Sequence, residues 1–274
     1  MPKTRWGVIG CLCALALASS VHAANKVDIF VYTETVQWIA QGQAQTEADT
    51  FMAAVKGKPG IGEVLNAGMK DIEGWTKAHT QKKAGHMIVL YGDFPPTIYP
   101  DKNAKPDGSL AEEFLDAGNT FANSADYFFW GLNGRNEEGG LKNMMDIPSI
   151  TQWGDATPMK KTKEAEKIAP DVPKEYTTDR PFHVDELKGS DWVMELGLGT
   201  LTGDQNATRC DPCVIHNKAT NGRLIQVFQT NSLRYPDGKV LAGIVLNYYL
   251  DQVGALAVDP QDKMSVAWGD LKRR

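Results

Sequence analysis

Two acidic side chains, Glu34 and Asp93, stand at the points where short apolar runs end. A carboxylate pair can work as general acid and base when its surroundings separate the two pKa values. Caps and turns use the same residue types at strand ends, so the pair alone does not establish an activity. Thr33 holds a comparable position, as do Asn133, Arg135 and Glu137, and then Gln229, Thr230 and Asn231. Ligands of open parallel sheets bind beyond the carboxyl ends of the strands. With Glu34 and Asp93, these residues therefore form the candidate ligand-binding set.

Other residues carry weaker chemistry. Cys210 and Cys213 flank Asp211-Pro212 and are the only cysteines beyond the first 23 residues. In an oxidising compartment that spacing predicts a small local disulfide. A redox-active pair would need its first thiol at a helix N-terminus, whereas Val214-Ile215 read as strand. Val214 also stands where a c-type haem site has histidine. His183 and Asp185 would face the same way on a strand. No further ligand stands at a diagnostic spacing, so a solvated turn is expected there and no metal. Asp101, Asn103, Asp107 and Glu112 match positions of a calcium loop. Lys105 replaces one oxygen ligand and Pro106 the turn glycine, which argues against calcium. His79 suits the dipole at a helix end and reads as structural. Asn206-Ala207-Thr208 has the form of a glycosylation acceptor. Gly197, Gly199 and Gly203 lack the spacing of a phosphate loop. Trp130, Trp153 and Trp192 could stack on sugar rings, although tryptophans in apolar runs commonly pack in cores. No cofactor is implied.

The elements that would position these residues follow from hydrophobic pattern. Residues 27–33 (VDIFVYT), 86–91 (HMIVLY) and 126–132 (DYFFWGL) are short apolar runs of the kind buried on both faces of a sheet. Thr46 to about Val55 predicts a short helix. Ile61, Val64, Leu65, Met69, Ile72 and Trp75 recur at helical spacing and predict a long one, weakened by Gly62, Gly68 and Gly74. Ser109 and Glu112 form a capping box, with Leu110, Phe114 and Leu115 on the buried side of the helix it starts. Residues 139–145 suggest a short helix. Residues 157–179, rich in Lys, Glu and Pro, predict a surface excursion. Strands are expected over 192–198, 213–216 and 223–230, the last two joined by the turn Thr220-Asn221-Gly222. Residues 239–256 predict a closing helix. Alternating strands and helices argue for parallel strands with right-handed crossovers.

Residues 1–23 read as a secretory signal: Lys3 and Arg5, a short apolar stretch, then Val21-His22-Ala23 as cleavage site. An uncleaved anchor is the other reading, but the stretch is shorter than a membrane span needs. Cys11 lacks the apolar stretch that would precede a lipoprotein cysteine. The expected organisation is signal 1–23, one α/β domain over 24–256, and a tail over 257–274, exported to the periplasm or beyond. Processing would leave a net charge of about −7, which argues against nucleic acid or an anionic membrane as partner. No later segment is apolar enough to span a membrane.

Several segments together resemble one family: VDIFVYTET at 27–35, IVLYGD at 88–93, YFFWGL followed by Gly139-Gly140-Leu141, and GRLIQVFQTNS at 222–232. They resemble the class I glutamine-amidotransferase-like fold, in particular its ThuA-like branch. The chain is also similar to uncharacterised exported bacterial proteins carrying NMMDIP, here Asn143 to Pro148. The resemblance implies an α/β fold with a mostly parallel sheet flanked by helices, flavodoxin-like or glutamine-amidotransferase-like, plus a late strand pair. It also implies a cysteine nucleophile on a tight turn after a central strand, yet residues 131–141 contain neither cysteine nor serine. Gln229-Thr230-Asn231 stands where the family histidine falls. Without nucleophile or base, glutaminase chemistry is not expected. Three readings follow: a degenerate member binding a small polar, sugar-like ligand; a hydrolase using Glu34 and Asp93; and an interaction module of an envelope assembly.

Overall fold

The computed structural model describes residues 26–82, 85–100, 108–125, 127 and 138–255. The expected signal, the tail beyond 256, the calcium-like residues 101–107, Trp130, and Asn133, Arg135 and Glu137 lie outside the described residues.

Two sheets organise the chain. The larger has seven strands: β1 (Val27–Tyr32), β2 (Ile61–Asn66), β3 (Met87–Tyr91), β4 (Thr120–Ser124), β8 (Trp192–Gly197), β11 (Cys213–Asn217) and β12 (Arg223–Val227). Their spatial order is β2-β1-β3-β4-β12-β11-β8. The first five run parallel, and β11 and β8 close the far side antiparallel. Taken in order of appearance, the parallel part is 2-1-3-4-5, the flavodoxin-like order. The smaller sheet is antiparallel, in the order β6 (Glu175–Thr178), β5 (Thr157–Lys161), β9 (Gly199–Thr200), β10 (Arg209–Cys210), β7 (Phe182–His183).

Helices cover both faces of the large sheet, and strand alternation sends side chains to each. Ile29 and Val31 of β1 pack with Val89 of β3 towards α1 (Gln41–Val55) and α6 (Asp237–Ile244). Phe30 and Tyr32 point the other way, with Ile88, Leu90 and Phe121, towards α2 (Met69–Thr80), α3 (Leu110–Asp116) and α4 (Glu138–Met145). Both faces are apolar because both are covered. Ser109 starts α3 as the capping box requires: its hydroxyl accepts from Glu112 N–H, and the Glu112 carboxylate accepts from Ser109 N–H at 2.7 Å and Gly108 N–H at 2.8 Å. Glu112 is thereby committed to the cap.

Four expectations are corrected. Residues 61–75 are not one helix: Ile61–Asn66 is the edge strand β2, and α2 starts only at Met69. Three glycines would each have cost that helix about 1 kcal/mol. Gly60 (φ 79°) turns the chain into β2, and pairing with β1 supplies the backbone partners. The strand beside β3 is Thr120–Ser124; of the expected run 126–132 only Tyr127 lies among the described residues, outside any strand. TFANS hides its burial because its polar groups are satisfied internally. Thr120 shares a 2.8 Å hydroxyl bond with Tyr249, and Ser124 donates to Asp237 at 2.5 Å. Residues 157–179 are not a surface excursion: they supply β5, α5 (Lys163–Ile168) and β6, which pair into the smaller sheet. The closing helix begins at Asp237 and widens into one π turn over Val245–Tyr249.

Candidate functional site

The parallel order brings the carboxyl ends of β1, β3, β4 and β12 to one rim. The backbone turns sharply there. Gly92, after β3, has φ 137°, Ala125, after β4, has φ 67°, and Phe228, after β12, has φ 47°. For non-glycine residues such positions cost about 1–3 kcal/mol and are kept where surrounding packing enforces them. They are where a nucleophile on a strained turn would stand, and the side chains are a methyl group and a phenyl ring. Ser124, next to Ala125, donates its hydroxyl proton to the buried Asp237 carboxyl. Burial drives that carboxyl well above the usual range, and the nearby Glu47 charge raises it further. The strained non-glycine positions Ala125 and Phe228 themselves carry no nucleophilic atom.

A ladder of flat side chains crosses this rim. Trp38, six residues past β1, meets Tyr127 with ring centroids 4.5 Å apart. Tyr127, three residues past β4, lies 4.4 Å from the Arg180 guanidinium, which on its other contact stands 4.4 Å from the Trp153 ring. Each such cation–π contact contributes about 0.5–2 kcal/mol, more when water is excluded. Arg180 is 9 % exposed, pairs through Nη1 with the Asp155 carboxylate, and has a buried Nε–H without an acceptor. Its backbone N–H donates to the Gln229 carbonyl just beyond β12, which fixes the ladder to the sheet. Trp153 is 40 % exposed, the one exposed large apolar side chain among the described residues.

His183 positions Trp153. Its Nε2–H donates to the Trp153 carbonyl at 3.0 Å, and Nδ1 lies 3.0 Å from both Glu186 and Thr151 Oγ1. Asp185 is exposed and pairs with Arg209. His183 and Asp185 thus do not share a site, and His183 is buried rather than solvated.

The nominated residues divide by environment. The Thr33 hydroxyl donates to Gln45 of α1 at 3.0 Å. Glu34 turns away to cap α2, accepting from Met69 N–H at 2.9 Å. Gly68 makes this possible, because a Cβ there would collide with the Glu34 carboxylate. A cleft of about 710 Å³ lies beside it, lined in part by Glu34, Lys70, Asp71 and Thr97. Asp93 is buried below the rim, its N–H donating to Thr35 O at 2.8 Å. Glu34 and Asp93 therefore sit in different surroundings, one exposed and one buried.

Gln229 and Thr230 are buried, and Gln229 acts as a bracket. Its amide donates to Asn123 Oδ1 at 2.6 Å, and Asn123 donates to the Gly92 carbonyl at 2.8 Å. Its own carbonyl accepts from Thr178 Oγ1 and from the Asp179 and Arg180 N–H groups. Its N–H donates to Asp211 Oδ2 at 2.7 Å. The Thr230 hydroxyl donates to Ser232 O, and Asn231 N–H to Asp179. Asp211 is fully buried, and desolvation lifts its pKa to about 7, opposed by the Thr178 hydroxyl and the Gln229 N–H. The flanking Cys210 and Cys213 are free, buried thiols, close together but not at bonding distance.

Sequence reasoning missed Arg180, Trp38 and Tyr127 as site residues, and no local pattern marks them. Trp153 was visible as a possible stacking residue, whereas Trp192 is buried, with its indole N–H donating to Met145 O.

No family model matches the chain, and no curated protein matches it. Similar solved structures include a ThuA-like protein from Bacteroides uniformis, 12% identical over 85% of this chain and 93% of that one, with a TM-score of 0.44. A cytoplasmic protein from Salmonella typhimurium is 8% identical over 82% and 98%, with a TM-score of 0.45. The β-galactosidase from Bacillus circulans is 13% identical over 85% of this chain and 32% of its own, with a TM-score of 0.40. Likenesses of this size concern outline alone. The strand order itself defines the class: an α/β protein with a mostly parallel, helix-flanked sheet. No helix among the described residues is long and apolar enough to cross a membrane.

Proposed function

We propose that this chain is an exported, non-glutaminase relative of the glutamine-amidotransferase-like fold that binds a small polar, sugar-like ligand at the rim. The observation that carries the reading is the Trp38–Tyr127–Arg180–Trp153 ladder laid across the ends of β1, β4 and β12. Trp153 offers an exposed apolar ring against which a sugar's C–H face can stack. Arg180 offers guanidinium N–H groups fixed in place for ligand oxygens. The His183 bond to the Trp153 carbonyl fixes the backbone there and the Arg180 guanidinium packs on the ring, so less ordering is needed on binding, which favours affinity. The lack of a nucleophile at Ala125 and Phe228 supports binding over acyl transfer.

Calorimetric titration of the folded chain with neutral sugars and sugar acids tests the reading. A hit is expected whose affinity falls about tenfold or more in Trp153→Ala, on the scale of 1–2 kcal/mol for a lost aromatic face. A flat response across the panel, or a hit indifferent to Trp153→Ala, overturns it.

A further inference from the structure

We propose that Asp28, His79 and His86 form a binding site for a divalent transition metal of the zinc class. The site lies at the amino ends of β1 and β3, at the opposite end of the strands from the rim, and would fasten both to the last turn of α2.

The donor atoms are already close to a ligand set. Asp28 Oδ2 is 3.2 Å from His79 Nε2 and 3.7 Å from His86 Nδ1, and all three atoms lie within 4.8 Å of one another. Zinc bonds to nitrogen and oxygen are about 2.0–2.1 Å, which puts tetrahedral neighbours roughly 3.3 Å apart. Two edges of the triangle are near that value, and a small ring movement closes the third. Two imidazoles and one carboxylate are a donor set suited to zinc.

Two of the ligands are held by outer partners. The His79 ring stacks on Trp75, centroids 3.8 Å apart at 13°, and its Nδ1–H donates to the Trp75 carbonyl at 2.8 Å. That bond makes Nδ1 a donor and turns Nε2 towards Asp28 Oδ2. A carbonyl behind a histidine ligand is the usual device for orienting it. Asp28 Oδ1 accepts from Glu63 N–H at 2.8 Å, which turns Oδ2 to the cluster. Gly62 makes room, since a Cβ there would collide with Oδ1.

A cation already marks the position. The Lys82 ammonium is 3.1 Å from His79 Nε2 and 3.8 Å from Asp28 Oδ2. Lys82 thus places positive charge beside both of these donor atoms. Its side chain is 49% exposed and free to swing into solvent, which would leave its place to a metal and one water. His86 is the most reluctant ligand, because its Nδ1 now accepts from Asp28 N–H at 3.0 Å and must exchange that bond for the metal.

The test uses the full, tag-free chain after chelator treatment, titrated with Zn²⁺ by calorimetry and with Co²⁺ by visible absorption. One zinc per chain is expected, with cobalt bands of a nitrogen and oxygen site. His79→Gln should weaken binding at least tenfold. Lys82→Ala, at a half-exposed position with no role in the core, should tighten it by removing the competing charge. No binding by the folded chain, a zinc affinity unchanged in His79→Gln, or an equal or weaker affinity in Lys82→Ala would overturn the proposal. So would a thiolate-to-cobalt charge-transfer band, which would put the metal on Cys210 and Cys213.

Discussion

Replacing Asp211 by Asn should remove a pH-dependent burden on stability. The carboxyl is fully buried where the two sheets meet, and its folded pKa is about 7 against 3.8 for the free side chain. Between those values the native state holds a proton that the unfolded state has released. Stability therefore falls as pH rises through this window, by about 1.4 kcal/mol per unit, and levels off above pH 7. The full difference is about 4 kcal/mol. An asparagine keeps the oxygen that accepts from Thr178 and Gln229 but does not titrate. Urea unfolding of both chains, followed by tryptophan fluorescence from pH 4 to 8, isolates the effect. Contributions from other groups, such as Asp28 and Asp237, largely cancel in the difference. The variant's advantage should grow steadily with pH and flatten near neutrality. A difference that stays constant across the range would refute the claim that this carboxyl is proton-bearing in the fold.

Removing the hydroxyl in Ser109→Ala should lower stability by about 1 kcal/mol, read as a shifted urea midpoint, because α3 loses its side-chain cap. Gly92→Ala should be far worse, roughly 3 kcal/mol or more, since φ is 137° and the new Cβ would strike the Thr35 carbonyl; soluble yield and thermal midpoint report it. Cys210 and Cys213 should resist a thiol reagent in the folded chain, as both are buried and desolvation pushes the Cys213 thiol up; both should react after denaturation. Protein recovered from an oxidising compartment and lacking those two thiols would instead support the disulfide that their spacing suggests.

The buried strands β1 and β3 were legible because they are near-continuous apolar runs, and the alternation of strands and helices carried the parallel arrangement. The capping box placed α3 through two side chains with one mechanical role. β4 was not legible. Its polar residues look exposed until Tyr249, Asp237 and Gln229 are brought to them from about 100 or more residues away. β2 failed for a different reason: its apolar spacing also fits a helix, and only pairing with β1 decides between them. The strand-end rule pointed to residues at the rim, but it could not distinguish exposed side chains such as Glu34 from buried ones that hold the rim together. Gln229 belongs to the second group, and Arg180 was invisible because its partners come from separate loops.

The Gln229 bracket has a mechanical consequence. One residue takes three donors from the 178–180 segment of the smaller sheet while gripping Asn123 in the larger one. Parting the two sheets would expose all of these groups at once, so a hinge at this line is closed off. If the proposed ligand binds at Trp153, it would meet a surface braced by these bonds, and selection would rest on shape rather than on an accommodating closure.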